Sequence, residues 1–164
     1  MVFRRTSRSI GAEQRTDPQA ARAAAMALLA RRDHPGGTLR ARLATQGFDA
    51  GVVDTAVAEL AGEGIVNDER YAQNYVAYHA ARGQGPVRIA AELKGMGVQA
   101  GLIELALPGS LDWRALARQA RSARFGPAPP ADWPDKARQA RFLQYRGFSA
   151  DHIRAATGAD PDVD

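Results

Sequence analysis

The chain has no cysteine. Disulfides, thiolate nucleophiles and cysteine-bound metals are therefore excluded, and the composition suits the cytoplasm. No apolar run approaches the length of a membrane span, so no membrane association is expected. Met1 to Arg15 is basic and polar with no apolar centre, unlike a secretory signal. Aromatic residues make up only 7% of the sequence while alanine is abundant, which favours helices packed through small side chains. No segment alternates apolar and polar residues as a strand would.

What is present is repetition. Leu43, Gly47 and Phe48 return as Leu93, Gly97 and Val98, and again as Leu143, Gly147 and Phe148. The step is 50 residues each time, and Ala50/Ala100/Ala150 and Val53/Ile103/Ile153 keep it. A glycine just past a helix end takes the left-handed conformation that closes the last turn. The apolar residue after it packs back on the helix just left. Helix, glycine stop, apolar clip and next helix make one corner, and its recurrence marks a repeat protein.

The fold expected is all-α: three tandem three-helix repeats stacked into an elongated, curved body. The boundaries predicted are a disordered basic tail over 1–17, repeats over 18–63, 64–107 and 108–157, and a frayed acidic tail over 158–164. Asp17-Pro18 reads as a helix start. Thr38, Asp49, Asn67 and Ser110 are read as caps of later helices. Gly126-Pro127-Ala128-Pro129-Pro130 reads as a stiff connector.

Charge is uneven. Residues 18–63 carry five basic and five acidic side chains, residues 64–107 carry four of each, and residues 111–157 carry nine basic and four acidic. A surplus confined to the third repeat points to an anionic partner. Arg114, Arg118 and Arg121 recur at i, i+4 and i+7 and predict an exposed stripe. Lys136, Arg138, Arg141 and Arg146 add to the same repeat. Arg31, Arg32, Arg70, Arg82 and Arg88 are the candidate contacts in the first two repeats.

Little points to chemistry. His34, His79 and His152 lack partners at metal-binding spacing, so no metal and no cofactor is expected. Asp68 and Glu69 resemble an acid/base pair, but capping of a helix first turn explains both. The Gly83 to Pro86 loop is too short to cradle phosphate and lacks the lysine and hydroxyl that would follow. Tyr71, Tyr75 and Tyr78 are able to stack bases, although two of the three are expected inside. No catalytic residue is assigned and an enzyme is not expected.

The segment Gly64-Ile65-Val66-Asn67-Asp68-Glu69-Arg70-Tyr71-Ala72 resembles the RecX family of bacterial regulators. The resemblance continues through Arg82-Gly83-Gln84-Gly85-Pro86-Val87-Arg88-Ile89 and Glu92-Leu93. It reappears at Lys136-Ala137-Arg138 and from Phe142-Leu143 to Arg146-Gly147-Phe148. Asn67, where an acid is usual, and Val98, where an aromatic is usual, depart from the pattern. The resemblance implies a protein that binds the RecA recombinase filament on single-stranded DNA. It further implies restraint of ATP hydrolysis, strand exchange and co-protease activity in DNA repair and the SOS response. A monomer is expected, with weak binding of its own to single- or double-stranded DNA. The alternative is a helical protein that binds nucleic acid directly through the third repeat.

Overall fold

Where a helix stops is set by which residue can turn left, and the corner glycines do so. In the computed structural model, which describes residues 10–107 and 111–158, Gly47, Gly97 and Gly147 have φ of 104°, 83° and 93°. At the first corner the Gly47 amide donates to Ala44 O at 2.9 Å and the Phe48 amide to Leu43 O at 3.3 Å. At the third, Gly147 donates to Gln144 O at 2.9 Å and Phe148 to Leu143 O at 3.1 Å. This paired closure satisfies two carbonyls that the helix end leaves open. Leu43, Phe48, Leu93, Val98, Leu143 and Phe148 are all buried.

The described residues contain nine α-helices and a short 3-10 helix, with no strand. They form two compact units. Unit 1 comprises the described residues up to Tyr71, with Met96–Val98. It holds α1 (Pro18–Leu29), α2 (Gly36–Gln46), α3 (Ala50–Gly62) and the start of α4 (Asp68–Ala80). Its core is Ala21 and Ala25 of α1, Leu39 and Leu43 of α2, and Val53, Ala56, Val57 and Leu60 of α3, with Phe48 and Val66. Each large side chain buried there contributes roughly 1.5–3 kcal/mol. The alanines let α1 lie close, as the composition implied.

Asn67 caps α4 as expected, accepting from the Arg70 amide at 2.9 Å, but two other caps in unit 1 differ from expectation. Thr38 is the third residue of α2 rather than its cap, and its hydroxyl donates to Met96 O at 3.4 Å. The amide of Gly36 donates instead to the Asp68 carboxylate at 2.8 Å. Asp68 thus serves the positive end of a helix other than its own. Asp49 stands at the N-cap of α3, but its side chain accepts no cap hydrogen bond. Its amide donates to Arg15 O at 3.0 Å.

That bond belongs to a larger correction. Residues 10–17, expected in the disordered tail, are structured. Gln14–Thr16 form the 3-10 helix, and Ile10 packs against the unit 1 core. Ile10 lies over Gly47, where the absent side chain leaves room. A single apolar residue has no period, so no sequence pattern announced it. Residues 1–9 and 159–164 lie outside the described residues, as do Pro108, Gly109 and Ser110.

Unit 2 takes the rest of α4, then α5 (Pro86–Gly95), α6 (Ala100–Ala106), α7 (Trp113–Phe125), α8 (Trp133–Arg146) and α9 (Ala150–Thr157). Ala117, Ala140, Leu143, Phe148 and Ile153 form a core, flanked by Trp113, Leu116, Ala120, Phe142 and Ala156. Asp112, not Ser110, caps α7: its carboxylate accepts from the Ala115 amide at 2.9 Å. Asp132 caps α8 and Ser149 caps α9.

The start of α5 lies directly on the Gly147 corner. The Gly85 amide donates to Arg146 O at 2.8 Å and the Val87 amide to Gly147 O at 2.9 Å. A Cβ on Gly85 would come within 2.3 Å of the Gly147 carbonyl. In unit 1 the start of α2 meets the Gly97 corner in the same way. A Cβ on Gly37 would stand 2.6 Å from Met96 O and 2.9 Å from Gly97 Cα.

Candidate functional site

The surplus charge lies on unit 2, and its arginines have three different fates. Arg121 is 7% exposed. Its guanidinium donates to Ala128 O at 2.9 Å, Pro127 O at 3.3 Å and Gln139 Oε1 at 3.2 Å. It fastens the proline-rich connector to α7 and α8, so it is a structural residue and not part of an exposed stripe. The reason is its place one turn beyond Ala117, which is fully buried. Arg114 is exposed but bound to Asp151, at 2.9 Å from Nε and 2.7 Å from Nη2. The Arg114 hydrogen bond holds the Asp151 carboxyl below its ordinary value. Arg118 alone of the three is exposed with no ion pair among the described residues.

A second set lies on aromatic rings. Arg82 sits 3.5 Å from the Tyr78 ring centre, and Arg146 5.3 Å from that of Phe142. Arg124 and Arg138 flank Phe125 at 5.6 and 5.2 Å. Phe125 meets Phe142 edge to face at 5.2 Å. A guanidinium face against a ring is a favourable cation–π contact that leaves the N–H edge to other partners. Arg138 also pairs with Asp135 at 2.6 Å. Arg141 is exposed on the same stripe of α8. Lys136 is half-buried near Gly158.

The remaining candidates are dispersed. Arg88 is engaged with Glu92 at 2.9 Å, and Tyr75 donates to the same carboxylate at 2.6 Å. Burial acts to raise the Glu92 carboxyl, but these hydrogen bonds and the Arg88 charge outweigh it and hold it low. In unit 1, Arg70 bonds Ile65 O at 3.2 Å and pairs with Asp33 at 3.5 Å. Arg31 and Arg32 are exposed after α1. Tyr71 and Tyr75 are half-buried, and Tyr78 is exposed. Within unit 2 the structure therefore brings together Arg82, Arg138, Arg141 and Arg146, and Arg88 lies beside α8, 5.9 Å from the Tyr145 ring centre.

Arg124, Phe125 and Tyr145 were missing from the candidate set. Their signal was present: Arg138, Arg141, Phe142 and Tyr145 recur at helical spacing, and Arg124-Phe125 precedes the glycine that ends α7. Among the described residues no helix is long and apolar enough to cross a membrane. Nor do any three His, Cys, Asp or Glu side chains gather there as a metal site would require.

Comparison with known proteins agrees with this architecture. Models of the first, second and third three-helix domains of RecX match residues 21–60, 67–107 and 112–157. Regulatory protein RecX of Halorhodospira halophila is 46% identical over 147 residues, covering 89% of this chain and 91% of that protein. The Pseudomonas savastanoi pv. phaseolicola protein of the same name is 40% identical, covering 83% of this chain and 88% of its own. The crystal structure of RecX from Lactobacillus salivarius has the same fold, with a TM-score of 0.70 at 20% identity over 89% of this chain and 96% of that one. Three domain matches in order and identity above 40% along most of the chain lead to one conclusion: the chain belongs to the RecX family of regulatory proteins.

Proposed function

We propose that the chain binds the RecA recombinase filament on single-stranded DNA and restrains its ATP hydrolysis, strand exchange and co-protease activity. The reading is supported by family membership across all three domains. The observation that carries it to a surface is the group of unit 2 arginines with no carboxylate partner among the described residues: Arg82, Arg118, Arg124, Arg141 and Arg146. A filament of acidic protein surface and DNA is the kind of partner such a surface attracts. The protein acts as a monomer in the cytoplasm, by occupancy rather than by catalysis, and needs no metal or nucleotide of its own.

The test is ATP turnover by the recombinase on single-stranded DNA as the protein is titrated in. A dose-dependent fall is expected, unchanged by a chelator matched for free magnesium. Unchanged turnover together with no co-sedimentation with the filament removes the proposal. Arg118→Glu/Arg141→Glu should weaken the effect more than Arg40→Glu/Arg42→Glu in unit 1.

A further inference from the structure

Three segments of unit 1 meet at Met96. The start of α2 lies on its backbone: a Cβ on Gly37 would stand 2.6 Å from Met96 O, and the Thr38 hydroxyl donates to that oxygen at 3.4 Å. The first turn of α4 reaches the same place twice. Asp68 accepts from the Gly36 amide at 2.8 Å, and the Tyr71 hydroxyl donates to Met96 Sδ at 3.5 Å. Met96 and Tyr71 are both half-buried. The chain has no cysteine and three methionines, so thioethers are its only sulfur. Met26, on α1, is 40% exposed.

We propose that Met96 is a reversible oxidation site, and that its sulfoxide loosens the seat of α2 on the Gly97 corner. The oxidant is a peroxide. A sulfur lone pair attacks one peroxide oxygen, an S–O bond forms and the O–O bond breaks. The departing hydroxide takes the proton from the transferred oxygen and leaves as water. Sulfur thus loses two electrons and the peroxide gains them. Thiol-dependent sulfoxide reductases reverse the step. A half-buried side chain is within reach of an oxidant this small. The structural consequence follows from distance. A sulfoxide oxygen accepts hydrogen bonds far better than a thioether, and burial raises the Tyr71 hydroxyl above its ordinary value, so it stays a donor. An O–H···O contact by itself takes about 2.7 Å. The 3.5 Å between Sδ and the phenol oxygen therefore has no room for a further oxygen. Either the ring and the sulfur separate, or a polar group stays half-buried without its donor. Both outcomes bear on a backbone that Gly37 already touches.

The experiment oxidises the full chain with dilute hydrogen peroxide. Peptide mass spectrometry counts the oxygen added at Met96 and at Met26. Amide hydrogen exchange reads Gly36 and Leu39, whose amides hold the start of α2 to Asp68 and Pro35. Oxidation of Met96 should quicken exchange at both by about tenfold or more, and a sulfoxide reductase pair should restore it. Exchange in α8 should not change. Met96→Leu keeps the apolar volume without the sulfur, and its exchange should not respond to peroxide. Met26→Leu should respond as the parent does. Oxidation of Met26 while Met96 stays a thioether overturns the proposal. So does full oxidation of Met96 with exchange unchanged, a uniform rise across both units, or a Met96→Leu variant as sensitive as the parent. No recombinase is present, so the filament reading stands or falls separately.

Discussion

The two units differ in what they set beside their arginines. In unit 1, Arg22 pairs with Glu63 at 2.7 Å, Arg40 with Asp54 at 3.2 Å and Arg70 with Asp33 at 3.5 Å. In unit 2, Arg82, Arg124 and Arg146 rest on aromatic rings, and Arg121 is buried under a connector. Unit 2 pairs three arginines with carboxylates as well, Arg88, Arg114 and Arg138, but among the described residues it alone also lays guanidiniums on aromatic rings. The same corner geometry thus supports two surfaces of different composition. Net charge per repeat detects the difference, but the partner of each arginine explains it.

The corners give the sharpest way to break the comparison. Gly47 and Gly147 are both left-handed, so a side chain at either costs about 1–2 kcal/mol in backbone strain. At Gly47 the added Cβ would meet Ile10 at an ordinary 3.4 Å and Arg15 Nε at 3.9 Å. At Gly147 it would fall within 2.7 Å of the Arg88 amide nitrogen and closer still to Arg88 Cβ. Gly147→Val is therefore expected to cost about 3–5 kcal/mol, against about 1–2 for Gly47→Val. Denaturant midpoints for the two variants decide it, and equal losses would mean that the α5 contact carries no weight.

The next effect separates buried from paired arginine. Arg121→Ala leaves the connector carbonyls without their donor and opens a gap beneath them. It is expected to cost about 2–4 kcal/mol. Arg22→Ala removes an exposed ion pair and should barely move the same melt. If the two variants melt alike, Arg121 is not holding the connector.

The smallest effect is pH-dependent. Ser149 N donates to His152 Nδ1 in a capping box, which requires the neutral ring. Burial pushes His152 below its ordinary 6.5, against the pull of Asp151 and Asp112 and with the push of Arg114. A lowered value in the fold means that the contribution is complete above about pH 6.5 and fades as pH falls through the folded-state value. Burial lowers His34 in unit 1 as well, aided by Arg42 and Arg32. His152→Gln keeps an acceptor at every pH. It should be more resistant to acid than the parent by about 0.5–1 kcal/mol, with the remaining slope due to His34. Identical slopes between pH 8 and 5 would deny the capping box its role.

Helices and corners were legible because they obey local rules. The glycines declare the turn, and the 50-residue step declares the register. What escaped depends on partners distant in sequence. Asp68 caps a helix that starts 32 residues before it, at Gly36. Arg121 keeps its i+7 spacing from Arg114 whether that face meets water or a connector, so spacing cannot tell burial from exposure. Arg124 went unnamed because it lies off that stripe, and only the fold places it beside Arg82, which is 42 residues earlier. The arginine count singled out the third repeat, but the neighbours of each arginine required coordinates.

The docking of each helix start on a later corner has a consequence for the order of assembly on the ribosome. Gly37 waits for Gly97, and Val87 waits for Gly147, 60 residues downstream in both cases. At about 5–20 residues per second, roughly 3–12 s separate the emergence of the two halves of each joint. During that interval the Gly85 and Val87 amides have no carbonyl to meet. A message truncated before residue 146 would yield a second repeat that is complete in sequence and unfinished in structure. The third repeat is therefore a folding partner of the second.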